Sequence, residues 1–179
     1  RIFDPLEMND TYFYLPTTHQ DRLVPIQTKK DDFWTKYQGD FYDTNYPVKG
    51  AKTFLSGGAG LSSTTADYSN FLQMFLNKGS FNDKQILGKK TVELVYVNQN
   101  SHIPGSSIGL AFGLVSEKDQ ALGGKGSMGT ITWGGYFNTF YFADPAENII
   151  GILYKQTREI EEEKTNVEFS TLLFQSLIK

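Results

Sequence analysis

The hydrophobic pattern changes period part-way along the chain, and this change limits the possible folds more than any other feature. Thr64 begins a segment in which apolar residues recur at helical spacing, and a shorter helix is predicted at residues 89–97. Alternating patterns then predict strands at residues 108–116, 128–135, 136–143 and 148–155. A closing helix is predicted at residues 161–179. This order predicts an α+β fold in which an antiparallel sheet packs against helices.

The length of 179 residues fits one domain. Residues 1–107 form its irregular and helical part, and residues 108–179 carry the antiparallel strands and the closing helix. Turn signals and scattered aromatic residues fill residues 1–55 without a sustained period, so a long irregular excursion is predicted there. The chain opens at Arg1 without an initiator Met or a signal segment, and we expect it to be a fragment.

Composition excludes several kinds of function. The net charge is −3 and no Lys/Arg block exceeds a pair, so nucleic-acid binding is not expected. No apolar run reaches the ~18 residues of a membrane span. The absence of Cys excludes thiol catalysis and disulfides, and two distant His residues predict no metal site. Phosphate-binding and dinucleotide-binding glycine motifs are absent, so no cofactor is expected.

The most unusual local motif is the run TWGGY at residues 132–136, between two predicted strands. Two glycines beside Trp133 would let a ligand or another backbone approach the strand edge closely. The same residues also fit a hairpin with a glycine bulge and a packed Trp. Residue pattern alone leaves both interpretations open.

Four motifs together give the chain a family resemblance. IFDPLEMNDT at residues 2–11 resembles the segment iFePLGMkDT, with Glu7 replacing the usual Gly. SGGAGLSST at residues 56–64 resembles the loop aGGLxST, and DYSNFL at 67–72 resembles the helix after it. The fourth match is WGG, then Thr139, Asp144-Pro145 and Gln156. In this order they resemble the C-terminal half of the serine β-lactamase and penicillin-binding-protein-like hydrolases, in the class C-like branch that includes family VIII carboxylesterases.

This resemblance implies a fold and part of a catalytic site. It implies the C-terminal portion of the β-lactamase/transpeptidase-like fold, with Trp133, Gly134 and Gly135 as the third motif on a sheet-edge strand. The backbone N–H of Tyr136 would be one oxyanion-hole donor, held in a strand. Trp133 replaces a Lys of the lactamases, and an indole cannot hold a carboxylate by charge. The resemblance therefore implies ester or small acyl-transfer chemistry rather than good β-lactam turnover.

The family's nucleophilic Ser, its Lys in S-x-x-K and its general-base Tyr in Y-x-N are expected outside this chain. Three internal matches are interpreted as chance. SLIK at residues 176–179 fits S-x-x-K but ends the last predicted helix. YSN at 68–70 and YVN at 96–98 fit Y-x-N, but Tyr68 belongs to an apolar helical stripe and Tyr96 ends a helix.

Three functional hypotheses follow. The first is the C-terminal fragment of a serine hydrolase (esterase, peptidase or penicillin-binding-protein-like), inactive alone, whose parent acts on a small acyl substrate and is exported to the periplasm or outer surface. The second is a non-catalytic binding or scaffold module with the same fold. The third, a self-sufficient enzyme that uses an internal match, is disfavoured. If an N-terminal partner segment is missing, strand 148–155 offers an open edge, and self-association through it is expected.

Overall fold

The fold is described from a computed structural model, which describes residues 1–39, 41–50, 52–160 and 163–177. The helices are α1 (Tyr46–Lys49), α2 (Thr65–Leu76), α3 (Lys89–Val95), α4 (Glu117–Leu122) and α5 (Thr165–Gln175), with a 3₁₀ helix at Thr17–Arg22. The strands are β1 (Gln27–Lys30), β2 (Phe33–Lys36), β3 (Ser80–Phe81), β4 (Lys84–Gln85), β5 (Gly113–Leu114), β6 (Ile131–Gly134), β7 (Phe140–Asp144) and β8 (Ile149–Leu153).

The centre of the fold is an antiparallel sheet in the order β5-β6-β7-β8, covered by a helix on each face. Successive residues of β7 point to opposite faces. Tyr141 contacts Tyr68 of α2, with ring centroids 4.7 Å apart, whereas Phe142 stacks on Phe174 of α5 at 4.9 Å. The α+β prediction, with a meander of strands between helices, is confirmed.

The start of α2 follows the sequence prediction. The Thr64 side chain accepts a hydrogen bond from the Asp67 backbone N–H at 3.1 Å, which satisfies an otherwise unpaired donor of the first turn. The Asp67 carboxylate in turn accepts from the Asp10 N–H and the Thr11 hydroxyl, each at 2.8 Å. These contacts attach the amino-terminal segment to α2.

The predicted strand at residues 108–116 is mostly wrong. Only Gly113–Leu114 forms a strand there, and the chain then begins α4 at Glu117. Ser116 and Asp119 make a reciprocal capping box, which favours a helix over a longer strand. The predicted strand at 136–143 begins only at Phe140. Residues 161, 162, 178 and 179 of the predicted closing helix lie outside the described residues.

The predicted irregular excursion contains a regular hairpin, β1–β2. Its two turn residues, Asp31 and Asp32, have φ of 49° and 65°, as a two-residue type I′ turn requires. The Gln27 N–H donates to the Gln156 carbonyl, and the Arg158 N–H donates to the Gln27 carbonyl, both at 2.9 Å. These bonds join the hairpin to the segment that follows β8. Among the described residues no helix is long and apolar enough to cross a membrane.

Candidate active site

A tight turn joins β6 to β7 at the predicted third motif. The Gly135 N–H donates to the Thr139 carbonyl at 2.8 Å, and the Asn138 N–H donates to the Gly135 carbonyl at 3.1 Å. Asn138 closes the turn with φ of 64°. Tyr136 therefore lies in this turn, and the prediction that a strand holds it is wrong. The hydrogen bonds of the turn, and not a strand ladder, hold its backbone.

The two glycines of the motif have different steric roles. A Cβ atom at Gly135 would lie 2.1 Å from Thr139 Oγ1, which is far inside any allowed contact. At Gly134 the nearest atom would be the Thr139 carbonyl oxygen, at an ordinary 3.4 Å. A methyl group at position 135 would therefore displace the Thr139 hydroxyl, whereas position 134 has room for one.

The end of β6 is paired on one side only among the described residues. β5 reaches as far as Thr132, while β7 continues beside Trp133 and Gly134. The resemblance implied that the motif lies on an edge strand. β6 is an edge strand only at Trp133 and Gly134, where β5 no longer pairs with it. The Trp133 side chain is 50% exposed there. An extended ligand can approach the unpaired side of these residues.

The backbone N–H of Tyr136 donates to no acceptor among the described residues, and neither does that of Phe137, whereas the N–H groups of Gly135 and Asn138 are bonded within the turn. Tyr136 is 39% exposed. An unpaired N–H in a fixed turn needs little reorganisation to bind a negatively charged oxygen. This geometry fits the oxyanion donor that the resemblance implied for Tyr136.

Sequence reasoning missed the surroundings of Tyr136. Its ring contacts those of Tyr42 at 4.7 Å and Phe137 at 5.1 Å, measured between centroids. The guanidinium carbon of Arg158 lies 3.8 Å from the Tyr136 ring centroid, and Arg158 Nη1 donates to the Tyr136 carbonyl at 3.4 Å. The one available signal was the aromatic content of the segment around Tyr42, and no local pattern pointed to Arg158.

The internal matches to catalytic motifs have structural roles. The Tyr68 ring packs between Tyr141 and Tyr154, and burial raises the pKa of its hydroxyl, which makes it a poorer base at neutral pH. Burial, with the nearby Asp144 carboxylate, raises the pKa of Tyr96 to about 12. The Ser176 hydroxyl, just after α5, donates to the Leu173 carbonyl of that helix.

Lys179, which would complete the S-x-x-K match, lies outside the described residues. The described residues contain no group of three or more His, Asp or Glu that could hold a metal ion.

Asp144 of the Asp-Pro match anchors the other turn of the meander. Its fully buried carboxylate accepts from the backbone N–H groups of Ser127, Ala146 and Glu147, at 2.8, 2.9 and 3.1 Å. Burial raises the pKa of this carboxyl, but the hydrogen bonds that it accepts outweigh burial and hold the pKa below its usual value.

The fold agrees with the family comparison. A family model described as Beta-lactamase matches residues 1–171, so the chain belongs to the beta-lactamase family. Two proteins of Mycobacterium tuberculosis, Protein Rv1367c and Uncharacterized protein MT1414, are each 29% identical over 174 residues. The match covers 86% of this chain but only 41% of either relative.

Solved structures show the same fold. EstCE1, "a hydrolase with promiscuous acyltransferase activity", has a TM-score of 0.75 at 17% identity, over 95% of this chain and 48% of that one. Simvastatin synthase (LovD) from Aspergillus terreus has a TM-score of 0.74 at 18% identity, over 99% and 49%. A penicillin-binding protein homologue from Caulobacter crescentus scores 0.65 at 16% identity, over 98% and 50%. The chain spans about half the length of these proteins.

Proposed function

We propose that this chain is the carboxy-terminal part of a serine hydrolase that acts on a small acyl ester and contributes the third motif and one oxyanion donor. The observation that carries the proposal is the Tyr136 N–H, which has no acceptor among the described residues and belongs to a turn directly after Trp133, Gly134 and Gly135. In such an enzyme a serine outside this chain is acylated, and water then releases the acyl group. The Tyr136 N–H would stabilise the oxyanion of both tetrahedral intermediates.

An ester substrate fits the side chain at the third motif. The Trp133 indole offers one N–H donor and no positive charge, so it cannot pair with a carboxylate as a lysine does. Its 50% exposure leaves an apolar ring surface beside the unpaired side of β6. The description of EstCE1 as a hydrolase with acyltransferase activity supports the same type of chemistry.

The nucleophile and general base are proposed to lie outside these 179 residues. Tyr68 and Tyr96 are partly buried against the core, and the Ser176 hydroxyl is bonded to the Leu173 carbonyl at the end of α5. The 179-residue chain is accordingly proposed to be inactive alone.

The test is the intact mass after incubation with a fluorophosphonate probe, for this chain and for a longer protein that contains it. One adduct on the longer protein and none on the 179-residue chain would support the proposal. An adduct on the shorter chain would overturn it, because an internal serine would then be activated. A longer protein that is folded but unlabelled would favour a non-catalytic binding or scaffold module.

We also propose that the chain self-associates through β8. This strand pairs with β7 on one side, and no other described strand pairs with its second side. Open edges with apolar side chains, here Ile149, Ile150, Ile152 and Leu153, recruit further strands. Light scattering should give a mass that rises with concentration for the 179-residue chain. A monomer at high concentration would contradict this proposal.

A further inference from the structure

The segment 156–158 connects the β1–β2 hairpin to the turn that carries the candidate oxyanion donor. On one side it bonds Gln27 through two backbone hydrogen bonds of 2.9 Å. On the other side the Thr157 N–H donates to the Phe137 carbonyl at 3.0 Å, and Asn138 Nδ2 donates to Thr157 Oγ1 at 3.0 Å. The backbone position of Arg158 is therefore fixed from both sides.

The Arg158 side chain contacts two groups of Tyr136. Its guanidinium carbon is 3.8 Å from the ring centroid, and Nη1 donates to the main-chain carbonyl at 3.4 Å. A planar guanidinium can stack on a ring and donate from its edge at once, which a lysine ammonium cannot do. No ion pair between described residues includes Arg158, so its charge is not neutralised by a described carboxylate.

We propose that Arg158 is a positioning residue that holds the Tyr136 N–H in place for an oxyanion; this inference rests on the proposed function. The ring and the carbonyl are both attached through the Tyr136 Cα atom. Fixing the two together restricts rotation about the backbone bonds that set the N–H direction. The Gly135 carbonyl shares a peptide plane with the Tyr136 N–H and accepts from the Asn138 N–H, and Arg158 adds a second constraint on the other side of the Tyr136 Cα atom. The positive charge of Arg158 also favours the negative oxygen electrostatically.

The test is a double-mutant cycle in the longer protein, with p-nitrophenyl acetate as the substrate. Arg158→Ala should lower kcat by about 10- to 100-fold, because small displacements of a catalytic group carry costs of this size. KM should change little, since the contact matters for the transition state and not for substrate binding. Tyr136→Ala removes the ring, and adding Arg158→Ala to it should lower kcat by much less than the product of the two single effects.

Other outcomes overturn the inference. If the two single effects multiply, Arg158 does not act through the Tyr136 ring. If Arg158→Ala raises KM and leaves kcat unchanged, the arginine binds substrate directly. Arg158→Lys keeps the charge without the stacked plane, so it should restore only part of kcat, and full restoration would show that charge alone suffices. If Arg158→Ala fails to fold, the lysine variant carries the test.

The control is Arg22→Ala, which removes an arginine that binds Asp10 in the amino-terminal segment. It should leave kcat and KM unchanged. Fluorophosphonate labelling of the wild-type longer protein separates the two hypotheses. Without labelling, the proposed function fails and the role of Arg158 with it. With labelling and turnover, an unchanged kcat in Arg158→Ala overturns the role of Arg158 alone.

Discussion

The two turns of the meander, β6–β7 and β7–β8, differ in how their backbone donors are satisfied. Each contains an Asn with positive φ, Asn138 at 64° and Asn148 at 54°. In the β7–β8 turn the buried Asp144 carboxylate accepts from two N–H groups of the turn and one of a neighbouring loop. In the β6–β7 turn the Tyr136 N–H has no described acceptor. The β7–β8 turn is called the closed turn here, because Asp144 binds its donors. The β6–β7 turn is called the open turn, because the Tyr136 N–H remains available to a ligand.

The largest expected effect comes from removing the available donor. Asn138 bonds back to Gly135, so Tyr136 occupies the second position of the turn, where proline is favoured. Tyr136→Pro should therefore keep the turn and delete only the N–H and the ring, whereas Tyr136→Ala deletes only the ring. Loss of one oxyanion donor predicts a kcat about 10²- to 10³-fold lower for Tyr136→Pro than for Tyr136→Ala in the longer protein. Equal kcat values would show that this N–H is not a catalytic donor.

The next largest effect is expected in the closed turn, where loss of the Asp144 carboxylate should lower the free energy of unfolding. Asp144→Ala leaves three backbone N–H groups without their acceptor in a buried place, which predicts a loss of about 3 kcal/mol in the free energy of unfolding. Urea denaturation of the chain measures this loss. Asp119→Ala, at the partly exposed capping box of α4, serves as the matched carboxylate control and should cost about 1 kcal/mol. A smaller effect at Asp144 than at Asp119 would contradict the contrast between the turns.

Substitutions of Gly134 and Gly135 at the open turn should differ in their effect on the free energy of unfolding. Gly135→Ala places a methyl group against Thr139 and should lower the free energy of unfolding by about 1–3 kcal/mol. Gly134→Ala meets only an ordinary contact and should stay within about 0.5 kcal/mol of wild type. Thermal melts of the two variants decide between these values. Equal losses would mean that the spacing of the turn does not depend on Gly135.

The smallest expected effect is a difference in acid stability. The pKa of Asp144 is lowered in the folded chain, so the unfolded chain binds more protons at low pH. Its stabilising contribution is complete above the unfolded pKa of about 3.9 and is lost as pH falls through the lower folded pKa. Asp144→Asn should therefore show a shallower loss of stability below about pH 4 than wild type. Urea denaturation at several pH values tests this. If the free energy of unfolding falls with pH equally in wild type and in Asp144→Asn, other carboxyls cause the acid sensitivity.

Local pattern predicted much of the fold. Thr64 with Asp67 correctly marked the start of α2, because a cap depends only on residues a few positions apart. The Asp144-Pro145 turn and the strands around it were predicted for the same reason. Two local signals were passed over, the Ser116 to Asp119 capping box and the Asp31-Asp32 turn. Because these signals were not used, the predictions for residues 108–116 and for the β1–β2 region were wrong.

The candidate site likewise has features that local pattern predicts and features that depend on tertiary contacts. The sequence by itself determined where the candidate third motif lies and that glycine follows Trp133, since strand period and glycine placement are local properties. Only the tertiary structure decided that Tyr136 lies in a turn, that its N–H has no acceptor in the part of the chain that the structure describes, and that Arg158 stacks on its ring. Arg158 reaches that ring because backbone bonds to Gln27 and Phe137 fix its segment from both sides. Contacts between such distant parts of the chain arise from packing of the whole fold, and no local pattern encodes them.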